Sequence, residues 1–319
     1  MSFIGGGSDL PDYFRESGGA VISTSINKYV FVTVNPRFDT GIRVAYSRTE
    51  EVEHVSQLEH SLVRAALEYL RIDGGVEITT VADIPSRGTG LGSSSSFTVA
   101  LLHALYAFRQ QHVSSERLAA EACHIEIDIC SEPIGKQDQY AAALGGFNLI
   151  EFRPDGTVVP SPVICSSETL QAIQSNLLLL YTGVTRSASS ILLEQAENLR
   201  SNKSKRDTVK RMVGLCYDLR EEIQRNHINA FGELLHESWL LKKSLTTNIS
   251  NLWIDECYEL ARKQGAIGGK ILGAGAGGFL LFYAPQERHA SICHVLTPMR
   301  RMPFSFEPLG SRIIFYNPN

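Results

Sequence analysis

The sequence predicts an α+β protein of two domains. Its 319 residues exceed one typical domain. Long helical patterns alternate irregularly with hairpin-like strands, which favours two α+β units over a doubly wound parallel sheet. The turn Arg153-Pro154-Asp155-Gly156 offers a boundary, so residues 1–155 and 156–319 are expected to form the two domains.

The elements follow in order. The chain runs Met1-Ser2-Phe3-Ile4 and enters Gly5-Gly6-Gly7 at once. A strand of about five or six residues ordinarily leads into such a turn, so either the native start is short or upstream residues are absent. Residues 24–34 end in a β-branched and aromatic run that reads as a strand. Residues 51–72 carry Val55, Leu58, Leu62, Ala65 and Tyr69 at helical steps and stop at Gly74-Gly75. Residues 76–82 alternate as a strand, and residues 97–109 continue as an apolar helix. Ser114 and Ser115 are candidate caps for a helix whose face is Leu118, Ala122, Ile125 and Ile129. A short helix over 136–144 and a strand over 147–152 close the first half. The second half opens on a strand at 177–182 and continues through helices between Ser187 and Gln264. It ends with glycine-rich 265–278, a strand at 279–283 and a final strand at 312–316.

Composition narrows the function classes. With 43% hydrophobic and 20% charged residues the chain has the make-up of an ordinary globular protein with a sizeable core. A net charge of −4 gives no footprint for nucleic acid or an anionic membrane. No apolar run reaches the length of a membrane span and no signal peptide opens the chain. Six cysteines without CxxC spacing fit buried thiols in a reducing compartment, so a cytoplasmic enzyme or binding protein is expected.

The chemistry is concentrated in a few segments. Pro85-Ser86-Arg87-Gly88-Thr89-Gly90-Leu91-Gly92-Ser93-Ser94-Ser95-Ser96 lies between a strand and a helix. Its alternating glycines allow close backbone approach, and its serines fall where free N–H groups and the helix dipole favour an anion. A flexible linker with a cap is the bland reading. The segment lacks the Lys-Ser/Thr pair of a Walker A loop, and no protein-kinase signature occurs elsewhere. Gly273-Ala274-Gly275-Ala276-Gly277-Gly278 matches GxGxxG but precedes the strand Phe279-Leu280-Leu281-Phe282-Tyr283. A dinucleotide site needs a helix there, so this run reads as a second glycine turn lying close to the first loop or its ligand.

Glu126, Lys136 and Asp138 fall close together in sequence. Phosphoryl transfer needs a Mg²⁺ ligand, charge neutralisation and a group to orient or deprotonate a hydroxyl. Each taken singly is more often a solvated surface residue. Gly7-Ser8-Asp9 puts an acid on a glycine turn, either an Asx-turn residue or an acceptor for paired hydroxyls of a polyol. Arg186, between a strand and a helix, is either a phosphate donor or a solvated side chain. None of the nine histidines forms a ligand pair.

Three segments, Gly5 to Asp9, Pro85 to Ser96 and Lys270 to Gly278, resemble in order the hallmarks of the galactokinase, homoserine, mevalonate and phosphomevalonate (GHMP) kinase superfamily. Within it GGGSDLPDYF, IGKQDQYAAALGGFN, YTGVTRSAS and GAIGGKILGAGAGGFLLF are most similar to the heptose 7-phosphate kinases. The resemblance implies an N-terminal domain like ribosomal protein S5 domain 2 and a ferredoxin-like C-terminal domain, with the site between them. It implies ATP-dependent phosphorylation of the anomeric hydroxyl of D-glycero-D-manno-heptose 7-phosphate, for bacterial capsule, lipopolysaccharide or S-layer glycan. Asp138 takes the catalytic position, with Lys136 adding positive charge. Gly88, Gly90, Gly92, Ser93, Ser94, Ser95, Ser96 and Gly275 hold the ATP phosphates, while Ser94 and Glu126 ligate Mg²⁺. Gly7, Ser8 and Asp9 hold sugar hydroxyls, and Lys28 and Arg186 are candidates for the 7-phosphate. Members usually carry an arginine in the strand before the first glycine turn, and no residue here takes its place. Another sugar acceptor, a catalytically silent ATP-binding regulator and a dinucleotide oxidoreductase are the competing readings, and a homodimer is left open.

Overall fold

The computed structural model describes residues 1–84, 89–185 and 189–318. The chain opens with β1 (Ser2–Ile4), α1 (Pro11–Ser17), β2 (Gly19–Thr24), β3 (Val30–Pro36), β4 (Ile42–Ala45) and β5 (Thr49–Val52). It continues with α2 (Ser61–Tyr69), β6 (Val76–Ala82), α3 (Ser93–Phe108), α4 (Ser115–Cys123), α5 (Gln137–Leu144), β7 (Phe147–Phe152) and β8 (Val158–Pro162). The second half comprises α6 (Ser167–Asn176), β9 (Leu177–Tyr181), α7 (Ser189–Ser201), α8 (Lys203–Gln224), α9 (Ile228–Lys243) and α10 (Leu252–Lys263). It finishes with β10 (Gly268–Ile271), β11 (Phe279–Tyr283), α11 (His289–Val295) and β12 (Arg300–Arg301).

Strands pair as β1-β2-β7-β8, β3-β6-β4-β5 and β10-β11-β9-β12. All pairs are antiparallel except β4 with β6. This is the α+β architecture the patterning predicts. One core packs α2, α3 and α4 against β4 and β6. Another gathers α7, α8, α9 and α10 around β9 and β11. A third joins the halves. In it Phe3 of β1 lies 5.7 Å from the Phe147 ring and 5.0 Å from that of Phe231 on α9. Burial of such apolar surface fixes the two halves around the first glycine turn.

Several expectations change. A strand does precede Gly5: β1 pairs with β2, and two of its residues, Phe3 and Ile4, are wholly buried. The helix expected over 51–72 is confined to α2. Its upstream part is β5, whose buried Glu50 accepts the N–H groups of Glu59 (2.6 Å) and His60 (3.2 Å) and so pins the helix start. The Arg153–Gly156 turn is the hairpin between β7 and β8, closed by Arg153 N–H to Thr157 O (2.8 Å). The ladder therefore runs across the expected boundary at 155, and the N-terminal sheet extends through Pro162. Residues 312–316 form no strand; Phe315 is 84% exposed, because a β-branched and aromatic run needs a partner edge that the sequence does not name. The strand that does close the second sheet is β12, paired with β9.

Ile129 departs from its expected buried face and is 44% exposed, whereas Leu118, Ala122 and Ile125 are buried. Residues His124–Ile129 form a π-helical turn, with Cys130 N–H bonded to Ile125 O five residues back at 2.9 Å. The wider turn rotates Ile129 outward. It also carries Glu126 to zero exposure, and such turns recur at functional sites.

Candidate active site

The site is assembled from turns and helix ends. α3 begins at Gly92, which is left-handed (φ 70°) and serves as its N-cap. A Cβ at Gly92 would lie 3.1 Å from the carboxyl carbon of Asp138. Glycine thus lets the Asp138 carboxylate rest against the first turn of the serine-rich helix. Gly90 (φ +76°) packs as tightly on the second glycine turn, where a Cβ would come within 2.3 Å of Leu272 O. Gly273 in return would meet Gly90 Cα at 2.5 Å. The two glycine segments therefore touch, and the second is followed by β11 as its sequence implied. It is Gly273 that makes the contact; Gly275 packs instead on the Ile249 backbone.

Glu126 accepts from Ser94 Oγ at 3.0 Å and from Gln139 Nε2 at 2.6 Å. Burial raises its pKa, opposed by hydrogen bonds from Ser95, Gln139 and Ser94. A hydroxyl and a carboxylate at a helix N-terminus suit Mg²⁺, a hard cation that takes oxygen donors and keeps phosphate and water ligands. Among the described residues no three His, Cys, Asp or Glu side chains are grouped so as to hold a metal ion by themselves. Glu126→Gln should raise the Mg²⁺ concentration for half-maximal turnover. The shift should be at least the 10–100-fold typical of groups one step beyond the metal, and a Mg²⁺ titration of initial rates measures it.

Ser93 lies 3.5 Å from Thr89, oxygen to oxygen, and Ser96 N–H closes on Gly92 O at 2.9 Å. Ser8 exchanges two hydrogen bonds with the Ala20 backbone, so its hydroxyl anchors the turn to β2. Asp9 is 2% exposed, and its carboxylate accepts from Gly7 N–H (3.0 Å) and Gln137 N–H (3.2 Å). The second contact ties the turn to the start of α5, one residue before Asp138. Burial pushes both carboxyls up from the usual range. The Met1 amino group, then Lys270, pulls Asp138 back, and the two backbone donors and Lys242 do the same for Asp9.

Lys136 does not supply the positive charge assigned to it. Its ammonium donates to Gly156 O (3.1 Å) and lies 5.2 Å above the Phe14 ring, directed at the β7–β8 hairpin. The N-cap position of Lys136 turns the side chain away from α5, while Asp138 points toward α3. Two side-chain cations near the buried carboxylates are Lys242 and Lys270, burial lowering their pKa values to about 8 and about 7. Lys270 and Gln139 lay inside quoted motifs without a role, and Lys242 carried no signal beyond helical position. Lys28 lines a cavity of about 740 Å³ together with Gly92, Ser96, Asp138 and Arg312. Gly88 and Arg186 lie outside the described residues.

No helix among the described residues is long and apolar enough to cross a membrane. The six cysteines are unpaired, with Cys123, Cys216 and Cys257 buried.

Comparison with known proteins bears on this arrangement. The GHMP kinases N terminal domain model matches residues 60–146 and the GHMP kinases C terminal model residues 219–294, together about half of the chain. D-glycero-alpha-D-manno-heptose 7-phosphate kinase of Campylobacter jejuni is 27% identical over 315 residues, covering 93% of this chain and 90% of that protein. L-fucokinase/L-fucose-1-P guanylyltransferase of Bacteroides fragilis is 27% identical over 91% of this chain, which spans 34% of that longer protein. A D-glycero-D-manno-heptose 1-phosphate kinase from Bacteroides thetaiotaomicron superposes with a TM-score of 0.77 at 26% identity, covering 97% of this chain and 94% of the other. The matches to both domain models show the family: the chain belongs to the GHMP kinases.

Proposed function

We propose that the protein transfers the γ-phosphate of ATP to the anomeric C1 hydroxyl of D-glycero-D-manno-heptose 7-phosphate, giving the 1,7-bisphosphate. The observation that carries kinase chemistry is the Asp138 carboxylate against Gly92 at the first turn of α3. It puts a proton acceptor beside N–H groups that hold the transferring phosphate. The heptose rests on the similarity to the Campylobacter jejuni enzyme and on Asp9, a buried acceptor for sugar hydroxyls.

In this reading the C1 oxygen attacks the γ-phosphorus in line, a new O–P bond forms, and the bond to the β-phosphate oxygen breaks. The hydroxyl proton passes to Asp138. Ser94 and Glu126 would hold a Mg²⁺ ion, which would neutralise phosphate charge when bound. Burial raises the Asp138 pKa, which makes its carboxylate a stronger base than an exposed aspartate. An anomeric hydroxyl is more acidic than an ordinary alcohol, so positioning by Asp9 and the loop contributes alongside proton transfer.

ATP consumption over a panel of sugars and sugar phosphates tests the substrate. Turnover confined to heptose 7-phosphate is expected. Preference for L-fucose would favour the second reading, a fucose kinase, which the Bacteroides fragilis relative supports. The product of either reaction is a sugar 1-phosphate group, and activation by a nucleotidyl transfer is the class of step that consumes it.

A further inference from the structure

Lys242, at the end of α9, is 7% exposed and far from any motif. Its ammonium donates to Gly6 O at 3.0 Å and to Gln195 Oε1 of α7 at 2.9 Å. The Gly6 carbonyl and the Gly7 N–H belong to one peptide unit, and that N–H donates to Asp9 Oδ1 at 3.0 Å. A single amide therefore connects a buried cation to the buried carboxylate. Hydrogen bonds in such a chain polarise one another in a low-dielectric interior. Lys242 makes no direct ion pair with Asp9 within 4.0 Å, so the charge reaches the carboxylate through the peptide and through space.

Gln195 completes the arrangement. It is wholly buried, and its amide nitrogen would lie 2.0 Å from a Cβ at Gly7. Gly7 (φ +104°) has to be glycine both for its dihedral and for this contact. The second-half helices α7 and α9 thus grip the first glycine turn from behind.

We propose that Lys242 is a positioning residue for the acceptor sugar. Bonded to Gln195, it orients the Gly6–Gly7 peptide, whose N–H fixes the Asp9 carboxyl, so that Asp9 is held in place for the sugar hydroxyls. The proposal rests on Asp9 as the hydroxyl acceptor but not on which sugar is bound.

A double-mutant cycle tests it, with the full chain and whichever acceptor the wild type turns over. Lys242→Met should raise the KM for the acceptor about 10–100-fold, the scale of a lost charge-assisted bond. The KM for ATP should change less than about twofold. In an Asp9→Asn background the same substitution should add almost nothing, because its target is gone. Gln195→Leu, which leaves the lysine in place, should shift the acceptor KM in the same direction by about 3–10-fold. Additive effects of Lys242→Met and Asp9→Asn would overturn the proposal. So would equal losses in both substrates, or a lowered Tm with unchanged KM for the acceptor in Gln195→Leu. If Lys242→Met fails to fold, the Gln195→Leu and Asp9→Asn cycle is read by the same criteria. A wild type inactive on every heptose phosphate but active on another alcohol would sink the substrate assignment and leave this cycle readable.

Discussion

Asp138→Asn is expected to lower turnover by about 10²–10⁴-fold, the usual contribution of a positioned general base, while nucleotide binding stays near the wild-type value. The amide keeps the shape of the carboxylate against Gly92 but cannot take the hydroxyl proton. Steady-state rates together with binding of a fluorescent ATP analogue separate the two effects, and near-normal turnover would refute the assignment. The pH profile carries a second signature. Burial raises the Asp138 pKa, so the base ionises above the usual carboxylate range, and kcat should rise with pH through that point. The asparagine variant should lack this limb. Stability should move the other way. A carboxyl whose folded pKa lies above its unfolded value favours folding while protonated, and that contribution is lost as pH rises through the folded pKa. Above that point the buried charge opposes folding, so Asp138→Asn should raise Tm at higher pH and have less effect in acid. A site that costs stability in this way is the common trade between activity and stability.

Gly90→Ala should destabilise the protein by about 2–5 kcal/mol, combining left-handed strain of about 1–2 kcal/mol with forced separation of two backbones. The nearest atoms to the new methyl group are Leu272 O at 2.3 Å, Leu272 C at 2.7 Å and Gly273 N at 3.1 Å, all main chain and none free to swing aside. Gly183→Ala is the matched control. Its φ is similar, +78°, but no atom lies within 4 Å of the added Cβ. It should cost only the dihedral strain. Urea unfolding of both variants isolates the contact between the glycine segments, and equal midpoints would show that the contact contributes nothing. Because the Gly90 segment leads into α3, the KM for ATP should also rise in Gly90→Ala and not in Gly183→Ala.

Much of the site was legible because its parts are local. Gly92, Ser93 to Ser96 and the start of α3 follow from one stretch of chain, as does the glycine turn at Gly5 to Gly7. The failures have a shared cause. Lys136 is two residues from Asp138 in sequence, yet the N-cap geometry of α5 sends the two side chains to different neighbours. The hairpin at Arg153 to Gly156 has turn chemistry, and turn chemistry does not say whether the next strand stays in the same sheet. Residues 312–316 have strand composition without a partner edge.

By itself, then, the sequence determined the α+β class and the kinase family, and it pointed to the loop and carboxylates proposed for the site, since glycine spacing and helix starts act over a few residues. Only the tertiary structure decided which cations face those carboxylates. Lys242 and Lys270 come from α9 and β10 and reach Gly6 O and the backbone of β1 across more than 230 positions of chain. Burial and through-space charge depend on packing between the halves, and no local pattern encodes which buried side chain meets which turn.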